Sequence, residues 1–318
     1  MVTTRESYAK KIGNTIEKPI GTFAFEEISG LNWTVSDKPL FAQINGYQIP
    51  YNEKKMIVRN DNNIPLGIVG SDYQTVQNHD LFELVQCLQE FESDMIVESA
   101  GHFSEGRTVF MQVRMDSLGM AIGDDKINPI LTIVNGHVGN YNTCIFPSTI
   151  RIRCQNTLRM AMKKKNDFSL GWKVKHSKNA MENLLTVKNA LKSISLEWEN
   201  TKDKIDRLSN TTMGDDDILT LIEATFGEKK SESKRGETRS ENRNQKIFDI
   251  LESSTSKVSG VEGSLWIGMN AITEYLDHEA SVKFDSLETR FENNLISGPS
   301  MNKKELVWLK ALEMAGVE

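Results

Sequence analysis

Thr108-Val109-Phe110-Met111-Gln112-Val113-Arg114-Met115 decides the fold class. Val109, Met111, Val113 and Met115 fall at every second position, the period of a strand with one face on a core. Arg107, Phe110, Gln112 and Arg114 form the polar or mixed complement. Upstream, Met95–Ala100 repeats the alternation, and Ser104-Glu105-Gly106 between the two runs reads as a turn. The pair is an antiparallel hairpin. Downstream, Ile130–Val134 and Tyr141–Phe146 read as a second hairpin around Gly136 and Gly139. Thr149–Arg153 reads as a further strand. A helix from about Gln155 to Lys165 follows, with Leu158, Ala161 and Met162 on its apolar side and Arg159 and Lys163 opposite.

Working outward, residues 1–20 read as a loosely ordered polar arm. Phe23–Leu31 reads as a short helix closed by Gly30. Asn32–Val35 and Leu40–Phe41 form a strand region. Met56–Arg59 and Leu66–Val69 pair across the turn Asn60–Asn63. Leu81, Leu84, Val85 and Leu88 fall at helical spacing, with Asn78 as the expected cap.

Past Ser177 the period changes. Leu184, Val187, Leu191, Ile194, Trp198, Thr201, Ile205 and Leu208 form a heptad-like seam, which predicts a long helix packed within a bundle or on a second subunit. Further helices are expected at Asp215–Phe226, from Ser264 to His278, and at Lys303–Ala315. The polar stretch near 229–242 reads as a mobile basic loop. The expected class is α+β, an antiparallel sheet with packed helices followed by a helical region. The division is an arm at 1–20, an α+β core at 21–176 and helices at 177–318.

Composition narrows the functions. The chain has 318 residues, 38% hydrophobic and 26% charged, which suits a folded globular protein. No run of about 18 apolar residues is present, so no membrane span is expected. Met1–Lys11 lacks a signal-peptide core, and three cysteines make no disulfide framework. A reducing cytoplasm is the expected location.

The charge is unevenly placed. Between Arg151 and Lys178 stand nine Lys or Arg and one acid, Asp167, in a chain of net charge -6. A basic patch on an acidic protein points to a polyanion, most simply nucleic-acid phosphate. Arg151, Arg153, Arg159, Lys163, Lys164 and Lys165 are the expected phosphate contacts, extended by Lys173 and Lys175. Tyr141 and Trp172 are candidates to stack a base, and Asn156 stands at the expected helix start. The bland alternative is a solvated face.

Catalytic signatures are missing. The sequence contains no phosphate-binding loop of the GxxxxGK kind and no GxGxxG, GxSxG or HExxH pattern. No His or Cys pair has zinc spacing. Asp124 and Asp125, with Glu98 or Asp116, could hold a divalent cation, although solvated turn acids are common. The reading therefore expects no cofactor, no metal and no catalytic residue.

Several motifs together resemble a known family. They are Gly30-Leu31-Asn32-Trp33-Thr34-Val35, Leu66-Gly67-Ile68-Val69-Gly70-Ser71-Asp72-Tyr73, Pro147 to Leu158, and Thr273-Glu274-Tyr275-Leu276-Asp277-His278. Their order resembles the phage/plasmid-like protein family, a domain of unknown function carried on mobile elements. Pro147-Ser148-Thr149 departs from the Thr-Pro usual there. The resemblance implies a phage or plasmid protein working in a bacterial cytoplasm. A looser architectural likeness connects the chain to phage single-strand annealing proteins of the RecT and Erf kind. The expected function is binding of single-stranded DNA, with duplex DNA as the alternative, and strand annealing in recombination as a homo-oligomer. The alternatives are a protein-interaction factor and a metal-dependent nucleic-acid enzyme.

Overall fold

The computed structural model describes residues 10, 12–15, 21–89, 94–139, 143–151, 157–159, 172–174, 198–227, 234–281, 286–296 and 298–317. The chain opens with β1 (Asn14–Thr15) and α1 (Thr22–Ile28). β2 (Val35–Ile44), β3 (Tyr47–Arg59) and β4 (Pro65–Gly70) form a three-stranded antiparallel sheet, followed by α2 (Asn78–Gln89). The larger sheet takes β5 (Met95–Phe103), β6 (Thr108–Met115), β7 (Met120–Ile122), β8 (Asp125–Gly136), β9 (Thr143–Arg151), β10 (Thr157–Arg159) and β11 (Trp172–Val174). Its order is β1-β5-β6-β8-β9-β10, with β7 on β8 and β11 on β9. The helical part holds α3 (198–210), α4 (Asp215–Phe226), α5 (Lys234–Leu251), α6 (Leu265–Glu274), α7 (Leu287–Phe291) and α8 (Pro299–Met314). The α+β class is as expected.

The alternation in β6 places its core residues. Met111 pairs with Ile133, and Ile133 with Ile145, so all three share one face. That face joins Phe25 of α1 and Leu81, Val85 and Leu88 of α2 in one buried cluster. The other face is not simply polar. Phe110 and Gln112, expected in the mixed complement, are fully buried. Phe291 of α7 packs 4.7 Å from the ring centre of Phe110 and 5.9 Å from that of Phe103. Such ring pairs contribute about 0.5–1.5 kcal/mol beyond area burial. The sheet is thus covered on both faces. Gln112 is held in a buried polar row, accepting from Ser99 (3.5 Å) and donating to Thr132 (3.4 Å), whose hydroxyl lies 3.3 Å from Ser148.

Several sequence expectations are corrected. Asn14 and Thr15, placed in a loose arm, pair with Ala100 and Ser99 and extend the sheet, and Lys10 reaches Glu98 at 3.0 Å. Thr149–Arg153 is not a separate strand, because β9 runs unbroken through Pro147 to Arg151. The expected helix start at Gln155 is replaced by β10, in which Thr157 pairs with Ile150 and Arg159 with Ser148. The free edge of β9 supplies backbone partners there, and such tertiary pairing overrides the helical spacing. Lys234–Leu251 is helical where a mobile loop was expected near 229–242. Ile247 and Ile250 anchor that helix in the core, and Arg243 lies over the Phe226 ring at 4.3 Å.

β2 and β3 are far longer than expected and form a hairpin. Its Asn45-Gly46 turn has φ of 50° and 84°, the paired positive values of a type I′ turn. β4 covers β3 only from Lys54 to Val58, so the distal ribbon has no strand neighbour among the described residues.

In the helical part, Trp198, Thr201, Ile205 and Leu208 are buried as the seam predicts. Leu184, Val187, Leu191 and Ile194 lie outside the described residues. Asp217 accepts from the Gly214 amide at 2.7 Å, and Ser264 caps α6 through Ile267. The halves meet closely at Gly123 (φ 56°), where an added Cβ would lie 1.9 Å from the Ser259 carbonyl oxygen. A larger residue there would push the β7–β8 turn off the helices.

Candidate nucleic-acid interface

β10 and β11 lie end to end along one edge of β9. Arg159 pairs with Ser148 and Lys173 with Cys144, two β9 positions of the same parity. These two basic positions therefore share a face of the sheet. Trp172 pairs with Ile145 on the opposite parity, which also includes Arg151 at the end of β9. Arg159 stands on a strand, not on the helix face the sequence suggested. Tyr141, Arg153, Asn156, Lys163, Lys164, Lys165 and Lys175 lie outside the described residues.

A second basic site emerges in the helical part, where the sequence reading saw only a loop. A cavity of about 530 Å³ opens between the end of α4, α5, α7 and the start of α8. Among the described residues, Arg239, Arg243 and Lys303 line it together with one carboxylate, Glu292. Arg239 and Arg243 stand one helical turn apart, a like-charge spacing that disfavours a helix. Burial lowers the pKa of Arg243, and Phe226 takes its guanidinium at 4.3 Å and the Lys303 ammonium at 5.0 Å. Tyr275 stands edge-on to Phe226, centroids 6.0 Å apart, and burial raises its pKa.

The walls are built from unusual backbone. Tyr275–Glu279 and Glu292–Ile296 are both π-helical turns, and both supply lining residues. Such turns are rare and concentrate at functional sites. Lys304 ties them together: its buried ammonium pairs with Asp277 of the first turn and donates to the Asn294 carbonyl of the second at 3.4 Å. Asn293 accepts from the Ser300 amide at 3.2 Å and donates to its hydroxyl at 3.0 Å, fixing the start of α8.

The family described as Domain of unknown function (DUF932) matches residues 65–296. The chain belongs to the DUF932 family. Neither the curated proteins nor the solved structures searched contain a match. The DUF932 span runs from β4 through the second π turn, so it includes β9, β10, β11 and most of the cavity wall. The α8 contribution, Ser300 and Lys303, lies beyond it.

Other candidates within the DUF932 span have structural partners. Asp124 accepts from the Ser259 amide at 3.1 Å, and Glu98 pairs with Arg114 at 2.8 Å. Among the described residues no group of three or more His, Cys, Asp or Glu could hold a metal ion. Asn78 does not cap α2. Its buried amide donates to the Leu31 and Trp33 carbonyls (3.0 and 3.1 Å), and its oxygen lies 2.9 Å from His137 Nε2. Asp80 instead accepts from the Gln77 amide at 2.8 Å. Arg59 lies 4.1 Å over the Trp33 ring and 3.3 Å from His102. This network joins α2, both sheets and the Trp33 loop, a structural role.

Proposed function

We propose that this DUF932 protein is a phage or plasmid protein of the bacterial cytoplasm. It binds single-stranded DNA and promotes strand annealing as a homo-oligomer. The observation that carries the reading is the reversal of charge between Arg151 and Lys178 in a chain of net charge -6. Arg159 and Lys173 stand on the two short strands that edge β9, which places two positions of the basic segment along one sheet edge. Annealing needs alignment of two strands and no bond chemistry, which fits a chain without a recognised catalytic motif.

Self-association takes its support from the β2–β3 arm. Residues 39–52 carry no charge and, Leu40 apart, are all exposed. Ile44 pairs with Tyr47 and Ala42 with Ile49, which gathers apolar side chains on one face. Tyr47 is 75% exposed and Ile44 49%. Natural edge strands are normally protected by charge, and an isolated two-stranded ribbon is marginal in water. A second copy is the fitting occupant. An uncharged arm meets its twin without the repulsion an acidic chain otherwise meets, and antiparallel edges are self-complementary about a twofold axis.

The test is fluorescence anisotropy of a labelled single-stranded oligonucleotide, compared with a duplex of equal length. The reading expects tighter binding of the single strand and, for about six phosphate contacts, a roughly thousandfold loss of affinity between about 50 and 200 mM salt. No binding at low salt would transfer the lead to a protein-interaction role.

A further inference from the structure

We propose that the cavity between α4, α5, α7 and α8 is a nucleotide site, holding a phosphate among Arg239, Arg243 and Lys303 with a planar base against Tyr275. Four observations converge on it. The cavity, about 530 Å³, is of the size that takes a small ligand. Among the described residues lining it, three are cationic and Glu292 is the one carboxylate, so that lining favours an anion. The first turn of α8 lines the same space and bears no acid. The Ser240 hydroxyl on the wall is buried and has no hydrogen-bond partner.

The arrangement also explains two local costs. Arg239 and Arg243 repel along α5, and a bound phosphate turns that repulsion into two charge-assisted hydrogen bonds. The π turns widen the helices where Tyr275 and Asn293 face the space, and the buried Lys304–Asp277 pair holds both turns in register. The pairing of an aromatic edge with clustered guanidinium groups selects a phosphate attached to a ring system over a bare anion.

Isothermal titration of the full chain with deoxyadenosine 5′-monophosphate tests this, with deoxyadenosine and inorganic phosphate as comparison probes. The nucleotide should bind saturably and more tightly than either probe. Arg239→Gln, an exposed change that the fold tolerates, should weaken it about tenfold through loss of a charge-assisted contact. Arg239→Gln with Arg243→Gln should abolish it, thermal unfolding reporting that the double variant is folded. Joint replacement of Lys163, Lys164 and Lys165 by Glu should leave it unchanged, which separates this site from the strand-binding segment. Absence of nucleotide binding, equal binding of inorganic phosphate, or undiminished affinity in Arg239→Gln would overturn the proposal.

Discussion

Lys304 and Asp277 are each almost wholly buried, and their ion pair joins α8 to the first π turn. Removing one partner strands a buried charge, so Lys304→Met should destabilise the protein by about 3–5 kcal/mol. Joint replacement by Met and Leu should recover much of that loss, which chemical denaturation of the three variants will show. His102 gives a second residue-scale prediction. Burial first, then the Arg59 charge, lowers its pKa in the folded state. The unfolded chain then takes up the proton first as pH falls. Stability present above about pH 6.5, the ordinary histidine value, is lost between there and the lower folded pKa. His79 works in the opposite sense, because the Glu26 carboxylate 2.8 Å away raises its pKa. Its contribution is full below about pH 6.5 and lost as pH rises through the folded value. Urea midpoints against pH should therefore flatten on the acid side in His102→Gln, and a parallel curve would refute the assignment.

At the scale of elements, two features make specific demands. Phe291 is buried between Phe103 and Phe110, so Phe291→Ala should cost about 3–5 kcal/mol and loosen α7 from the sheet. The β2–β3 arm should behave differently. Tyr47→Lys with Ile49→Glu places charge on exposed positions, leaves thermal stability nearly unchanged, and shifts sedimentation from oligomer to monomer. A wild-type protein that is monomeric at high concentration would refute the role given to the arm. The strands read by alternation, β5 and β6, were legible because one face meets the α2 core. The arm was not, although Asn45-Gly46 signals a tight hairpin turn, because its flanking residues are apolar without alternation into a core. β10 was illegible for another reason. Leu158, Ala161 and Met162 fit helical spacing, and at Thr157–Arg159 the free edge of β9, the strand just before it, decides for strand. α5 begins in polar residues whose anchors, Ile247 and Ile250, come three turns later.

For the whole molecule, the uneven charge is what the sequence makes plainest. The basic segment of an acidic chain could be read directly, since charge needs no three-dimensional context. The helical cavity could not, because Arg239, Tyr275 and Lys303 are scattered in sequence and converge only through the packing of α5, α6 and α8. The proposals divide the molecule into a basic segment for a strand and a helical pocket for one nucleotide. Among the described residues no helix is long and apolar enough to cross a membrane. The central proposal concerns the basic segment between Arg151 and Lys178, and charge reversal tests it most directly. Lys163, Lys164 and Lys165 are replaced together by Glu, and anisotropy of a labelled single-stranded oligonucleotide is measured at low salt. The account predicts that the variant unfolds at the wild-type temperature and no longer binds the strand. A folded variant that binds with unchanged affinity would contradict it.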